Sequence, residues 1–298
     1  MIWAKRRLLV MEFIPGKRLD DLEYLDSNDI CRDEVSASLA RIFNEMIFGT
    51  NAPLHCDPHG GNLAIRVNNN RGKRSNFDII LYDHGLYRNI PQDLRRSYAK
   101  LWLAVIDTDL PNMKKYAKEV AGIAEEQFPL FASAITGRDY TALTRGVATT
   151  RDEDEKKIIT EGAFSKTPPL CSVCSNPGVA AMTEGLLAQL VQLLADVPSV
   201  ILLILKTNDL TRSLDESLQT GKGPERTFLI MARYCSRAVY EETMESIKAH
   251  GGLLKVDNFF HWIHAVWHYW RVEMKLKMFE SALFWKGLLG LEQKIIAG

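Results

Sequence analysis

The sequence predicts an α+β fold that is mostly helical and carries one short β-hairpin. Leu39, Ile42, Phe43, Met46 and Ile47 fall at the spacing of one apolar helix face. The apolar runs Leu63–Val67 and Phe77–Tyr82 flank a turn-rich stretch from Asn68 to Asn76, the pattern of two strands and a solvated loop. From Leu94 onward the apolar pattern is helical almost throughout. The 298 residues are 46% hydrophobic and 25% charged, enough to bury a substantial core in one large or two small domains.

Taken in order, Leu8–Phe13 reads as a buried strand ended by Pro15-Gly16. Gly16–Asp26 is a polar connector. The helix through Leu39–Ile47 follows, with Gly49 as its stop. After the hairpin, Leu94, Tyr98, Leu101, Trp102 and Val105 mark one face of the next helix. Thr136–Thr167, with its charge-dense run Arg151–Lys157, reads as an exposed loop. Thr183–Ala195 and Pro198–Lys206 read as two apolar helices, Pro198 lying in the first turn of the second. Glu241–His250 and Asn258–Leu289 are expected to be helical too. Gln189, Gln192, Asp196 and Pro198 interrupt the apolar stretch Leu186–Leu205, so no membrane span is expected there.

Lys and Arg number 37 and so do Asp and Glu, a balance that argues against nucleic acid as a partner. Five cysteines are too few and too scattered for a disulfide framework, and fit a reducing compartment. The basic opening Met1–Arg7 precedes only a short apolar run that includes Glu12, and does not read as a signal peptide.

The chemistry lies between the first helix and the end of the hairpin. His55-Cys56-Asp57-Pro58-His59-Gly60-Gly61-Asn62 places His, Asp and Asn as a kinase catalytic loop does, and Asp83-His84-Gly85 reads as the Asp-x-Gly metal loop of the same machinery. Phosphoryl transfer needs a carboxylate near the attacking oxygen and hard oxygen ligands for Mg²⁺. Asp57 is the candidate for the first role, Asn62 and Asp83 for the second. Asp83 follows Asn62 by 21 residues, and the Asn68–Asn76 loop absorbs the length. His55 is expected to brace the loop through backbone hydrogen bonds. His59 stands where many kinases carry a catalytic Lys, and is a candidate phosphate contact or a structural residue. His84 is expected to pack. Glu12-Phe13-Ile14 would form a hinge whose backbone pairs with an adenine edge.

Other features carry less. Cys171-Ser172-Val173-Cys174 is one Cys-x-x-Cys without a second pair, short of a zinc site. His261, His264 and His268 share a helical face among Trp262, Trp267, Tyr269 and Trp270, a pattern better suited to packing than to metal. The run from Phe259 to Leu289 mixes aromatics with Lys275, Lys277 and Lys286. Core packing is its simplest reading, with a lipid surface or partner helix as the alternative.

Three segments together resemble the UbiB-type, aarF-domain-containing (ABC1-type) atypical kinases: Val10–Gly16, His55–Asn62 and Leu81–Tyr87. Leu202–Leu210 is similar to the mitochondrial lipid-homeostasis branch of that family. The resemblance spans roughly residues 8 to 210. It implies a protein-kinase-like C-lobe over residues 1–250, with a hinge near 12–16 and a charged loop near 136–167. Residues 251–298 would be an aromatic-rich helical extension. It further implies ATP or ADP with Mg²⁺, and phosphotransfer or ATP hydrolysis serving mitochondrial lipid or ubiquinone homeostasis. Carried over by residue, Asp57 is the catalytic Asp, Asn62 and Asp83 are the metal ligands, and Gly85 permits the metal-loop turn. The family usually has Pro where Gly60 stands. The family's N-lobe elements and its Lys-x-Gly-Gln helix have no match here, so the expectation is a truncated chain that binds nucleotide poorly and turns over little alone. A pseudokinase scaffold and an aminoglycoside- or choline-type phosphotransferase are the competing readings.

Overall fold

The computed structural model describes residues 3–72, 75–123, 125–136, 197–220, 223–250 and 256–288. The expected loop through 167, the helix 183–195 and the Cys171/Cys174 pair lie outside them.

β1 (Trp3–Lys5) and β2 (Leu8–Val10) form a hairpin, and β3 (Lys17–Arg18) follows. The strand expected over 8–13 stops at Val10, and it is not buried. Trp3 and Leu8 are about half exposed and Phe13 is 88% exposed, and β1–β2 stands as a separate two-stranded sheet.

α1 (Leu22–Ser27) starts at Asp21, whose carboxylate accepts from the Tyr24 N–H. α2 (Arg32–Phe48) is the central helix of the fold. Asp33 and Glu34 in its first turn suit the positive end of the helix dipole. Val35, Leu39 and Phe43 face a cluster with Leu63, Ile65 and Phe77. Ala37 and Ala40 admit Ile230 closely, and Ile47 and Phe48 enter the main helical core. Ile42, expected on the buried face, is exposed. Gly49 ends the helix with an ordinary negative φ. Its role is steric, since a Cβ there would lie 2.4 Å from the Glu45 carbonyl oxygen.

Four more strands follow: β4 (Pro53–His55), β5 (Leu63–Val67), β6 (Phe77–Leu81) and β7 (Tyr87–Asn89). β5 and β6 pair antiparallel with Leu63 opposite Leu81, and β3 adds to the other edge of β5. β4 and β7 pair antiparallel as a separate two-stranded ribbon.

α3 (Gln92–Asp107), α4 (Leu110–Ala121) and α5 (Phe128–Thr136) build the helical core with α6 (Ser199–Ser217) and α7 (Gly223–Ala249). Tyr98, Leu101, Trp102 and Val105 are buried, as the α3 pattern predicts. α6 outruns the expected Pro198–Lys206 by eleven residues. Its second half is polar, and several of its polar side chains are bonded. Thr207 and Thr211 donate to carbonyls one turn back at 2.9 and 2.8 Å, and Asn208 donates to the Tyr98 hydroxyl.

α8 (Val256–Leu288) lies against α7. Val272 and Leu276 enter the core, but Phe260, Trp267 and Trp270 are more than half exposed. Core packing therefore accounts for one edge of this helix and not for its aromatic face. Among the described residues no helix is long and apolar enough to cross a membrane.

Candidate active site

The two motif loops run side by side in opposite directions, pinned at both ends. At one end β4 and β7 pair, and the Cys56 N–H donates to the Leu86 carbonyl at 3.1 Å. At the other end β5 and β6 pair, and the Tyr82 N–H donates to the Asn62 carbonyl at 2.9 Å. The hairpin register thus sets Asn62 opposite Tyr82, one step from Asp83.

His55 ties the loops together between these ends. It is 2% exposed. Its Nδ1 accepts from the Asp57 N–H at 3.0 Å, and its Nε2 lies 2.8 Å from the Asp83 carbonyl oxygen. With Nδ1 an acceptor, Nε2 must carry the proton and donate, a tautomer assigned from the bonding. Tyr87 packs edge-on to His55 at 5.0 Å and parallel to His84 at 5.9 Å, while its hydroxyl pairs with His84 Nδ1. The expected packing role of His84 is what the ring geometry shows.

The candidate side chains are oriented by their own loops. Asn62 Nδ2 donates to the Asp57 carbonyl at 3.2 Å, which turns the opposite amide atom, Oδ1, away from that bond. Asp83 Oδ1 accepts the Gly85 N–H at 2.8 Å, leaving Oδ2 the freer oxygen. A Cβ on Gly85 would sit 3.0 Å from Asp83 Oδ1, so a side chain there would press on the carboxylate. These two oxygens, one amide and one carboxylate at the open end of the hairpin, are hard donors of the type Mg²⁺ takes. Among the described residues no group of three His, Cys, Asp or Glu side chains gathers as a metal cluster. A cation here would depend on the Asn62–Asp83 pair completed by phosphate and water oxygens.

Asp57 is exposed and differs from the expected picture in one respect. Lys206, from α6, donates to Asp57 Oδ1 at 2.7 Å. That hydrogen bond holds the Asp57 carboxyl below its usual range. His59 is turned toward its own loop. Its Nδ1 accepts the Gly61 N–H at 3.1 Å, and its Nε2 lies 3.9 Å from Asp57 Oδ2. Gly60 opens a single 3₁₀ turn, and a Cβ there would meet Leu214 of α6 at 3.4 Å. The His55–Asn62 loop therefore rests on α6.

The segment 12–14 runs beside the hairpin. Gly16 is the point of close approach, where a Cβ would lie 2.8 Å from the Ala64 Cβ. The Ile14 carbonyl accepts from the Tyr82 hydroxyl at 3.0 Å, and Glu12 and Phe13 are exposed. Two clefts, of about 370 and 580 Å³, lie along α8, and neither is lined by these loops.

Sequence reasoning missed Lys206 as a site residue. It lies 149 positions from Asp57. The signal available was the run Leu202–Leu210, which gives no partner for the lysine.

A profile of the ABC1 atypical kinase-like domain matches residues 1–117. The chain is 45% identical over 294 residues to the ABC1 family protein MCP2 of Saccharomyces cerevisiae, covering 96% of this chain and 48% of that protein. It is 45% identical over 250 residues to the MCP2 homolog of Schizosaccharomyces pombe, covering 83% of this chain and 42% of that one. It is 35% identical over 247 residues to AarF domain-containing protein kinase 1 of Gallus gallus, again 83% of this chain and 42% of the relative. The chain thus spans about half the length of the curated relatives it matches. No solved structure matches it.

Proposed function

The chain belongs to the UbiB/ABC1 family of atypical kinase-like proteins, and on that premise we propose that it is an ATP- and Mg²⁺-dependent phosphotransferase or ATPase. One observation carries the reading. The loops carrying Asp57, Asn62 and Asp83 are pinned side by side, with His55 bonded to both of them, and this supports the three acting as one site.

The roles follow from the chemistry of each group. Asp57 orients the attacking hydroxyl or water and takes its proton, as the carboxylate of a kinase catalytic loop does. Asn62 Oδ1 and Asp83 Oδ2 would hold Mg²⁺. When bound, the ion neutralises charge on the phosphate oxygens. The 12–14 segment would carry the adenine edge through its backbone, sharing the Ile14 carbonyl with Tyr82. As ATP reacts, the acceptor oxygen bonds to the γ-phosphorus while the bridging P–O bond breaks. ADP leaves with that electron pair, and the acceptor proton passes to Asp57.

A mitochondrial setting, with lipid or ubiquinone homeostasis as the process served, belongs to the same proposal. The likeness of Leu202–Leu210 to the mitochondrial branch supports it.

The test is Mg²⁺-dependent nucleotide binding and ATP hydrolysis by the full-length protein and its Asp83→Asn variant. Losing one of two protein ligands should weaken Mg·ADP and Mg·ATP by about tenfold or more and lower hydrolysis at least as much. Equal binding by the two proteins would remove Asp83 from the metal site. No Mg²⁺-dependent binding by the parent would leave the scaffold reading.

A further inference from the structure

We propose that Lys206 is the catalytic lysine of this site, supplied by helix α6 in place of the lysine that many kinases carry in the catalytic loop. In the resting site its ammonium pairs with Asp57. With ATP bound it turns to a non-bridging oxygen of the transferred γ-phosphoryl group. This inference rests on the phosphoryl-transfer reading above.

Three observations carry it. First, the contact is close and comes from a fixed base. Lys206 Nζ is 2.7 Å from Asp57 Oδ1. Its neighbours on α6, Ile204 and Thr207, are buried, Asn208 is bonded to Tyr98, and Leu214 faces Gly60. Its base is thus anchored in the fold, with a four-carbon stem left to reach.

Second, the position in the catalytic loop that would otherwise supply a cation is occupied differently. His59 spends Nδ1 on Gly61 and holds Nε2 at 3.9 Å from Asp57. The cation in hydrogen-bond contact with the Asp57 carboxylate is Lys206; His55 lies behind the loop, buried and committed to backbone on both nitrogens.

Third, stability does not account for the pair. Both side chains are half exposed, at 50% and 52%. Ion pairs in that setting contribute little to folding. Its geometry does suit phosphoryl transfer. A hydroxyl within about 3 Å of Asp57 puts the phosphorus it attacks about 3–3.5 Å further on. The oxygens of that group then lie within a side-chain rotation of Lys206. A cation there stabilises charge that develops as the bond to ADP breaks.

The experiment compares full-length parent, Lys206→Met and Lys206→Arg for binding of Mg·ADP and of Mg²⁺ with a non-hydrolysable ATP analogue, and for hydrolysis. The expectation for Lys206→Met is about tenfold weaker analogue binding with Mg·ADP within twofold, since only the analogue carries the third phosphate. Its kcat should fall by about 10²-fold. Lys206→Arg keeps the charge and should recover analogue binding better than kcat. Analogue and ADP weakening together, or neither changing, would overturn the role of Lys206 while Asp83→Asn still tests the parent reading. A parent that binds no Mg·nucleotide would overturn both.

Discussion

His55 has no spare nitrogen. It accepts from the Asp57 N–H and donates to the Asp83 carbonyl, and it does so buried under Tyr87. It is therefore the residue through which one motif loop fixes the other. His55→Ala removes both bonds and leaves a cavity beside Tyr87. A net hydrogen bond contributes about 1 kcal/mol, and a buried group left unpaired costs more. We expect a loss of about 2–3 kcal/mol in urea unfolding. Asn62 and Asp83 keep their own local bonds, so the damage should be to the spacing between the loops, and Mg·nucleotide affinity should fall with them. Unchanged unfolding and binding would deny His55 this role. The sequence showed the His-x-Asp spacing, from which a bracing histidine could be expected. Its second partner, a carbonyl 28 residues away, required the fold.

Among the elements, α2 was the most legible and α6 the least. α2 alternates apolar and polar residues with helical period, and its burial follows that pattern apart from Ile42. The β5–β6 hairpin was equally plain, because each strand is bounded by turn residues. α6 hid its second half behind Thr207, Asn208 and Thr211, whose hydroxyls and amide are satisfied within the core. A polar run whose side chains bond to their own helix and to a neighbouring one looks like a loop in sequence. Glu34 shows how α2 is held to α7. Burial pushes its carboxyl up, but hydrogen bonds from Arg226 and Arg41 outweigh this and leave it below its ordinary value of 4.5. The pairs measure 2.7 and 2.9 Å. A carboxylate with a lowered folded-state pKa stabilises the fold above its unfolded pKa, and that stability is lost as pH falls through the folded value. Glu34→Gln should therefore cost about 1 kcal/mol at neutral pH. The gap to the parent should begin to narrow below about pH 4.5 and close as pH falls through the lowered folded value, where the folded parent also protonates. Thermal unfolding across pH checks this, and a gap that is constant or grows in acid would exclude the ion pairs as its cause.

For the molecule as a whole, the division is between what is local in sequence and what is not. Asp57, Asn62 and Asp83 were legible because one hairpin and its two flanking loops carry all three. Lys206 and the attachment of α8 were not, because each depends on helices far apart in the chain. α8 packs along α7, and its strongest anchors lie in one stretch. Val272 and Leu276 enter the core, Glu273 meets Arg233, and Arg271 and Lys275 both donate to Asp107 at the end of α3. North of that patch the helix exposes Phe260 and Trp267. A carboxylate at a helix C-terminus opposes the helix dipole. Asp107 is stabilised there by its two cations, at 2.9 and 2.6 Å, both of which remain about half in water. Asp107→Asn removes the charge that pairs with both, and solvent screening limits the cost to about 1 kcal/mol. Local opening of α8 should then become about fivefold more frequent, while α2, which shares none of these contacts, keeps its protection. Amide hydrogen exchange of residues 268–276 against residues 32–48 reads the difference directly. Uniform acceleration would mean that Asp107 stabilises the whole fold, and no change would mean that Val272 and Leu276 hold α8 without it.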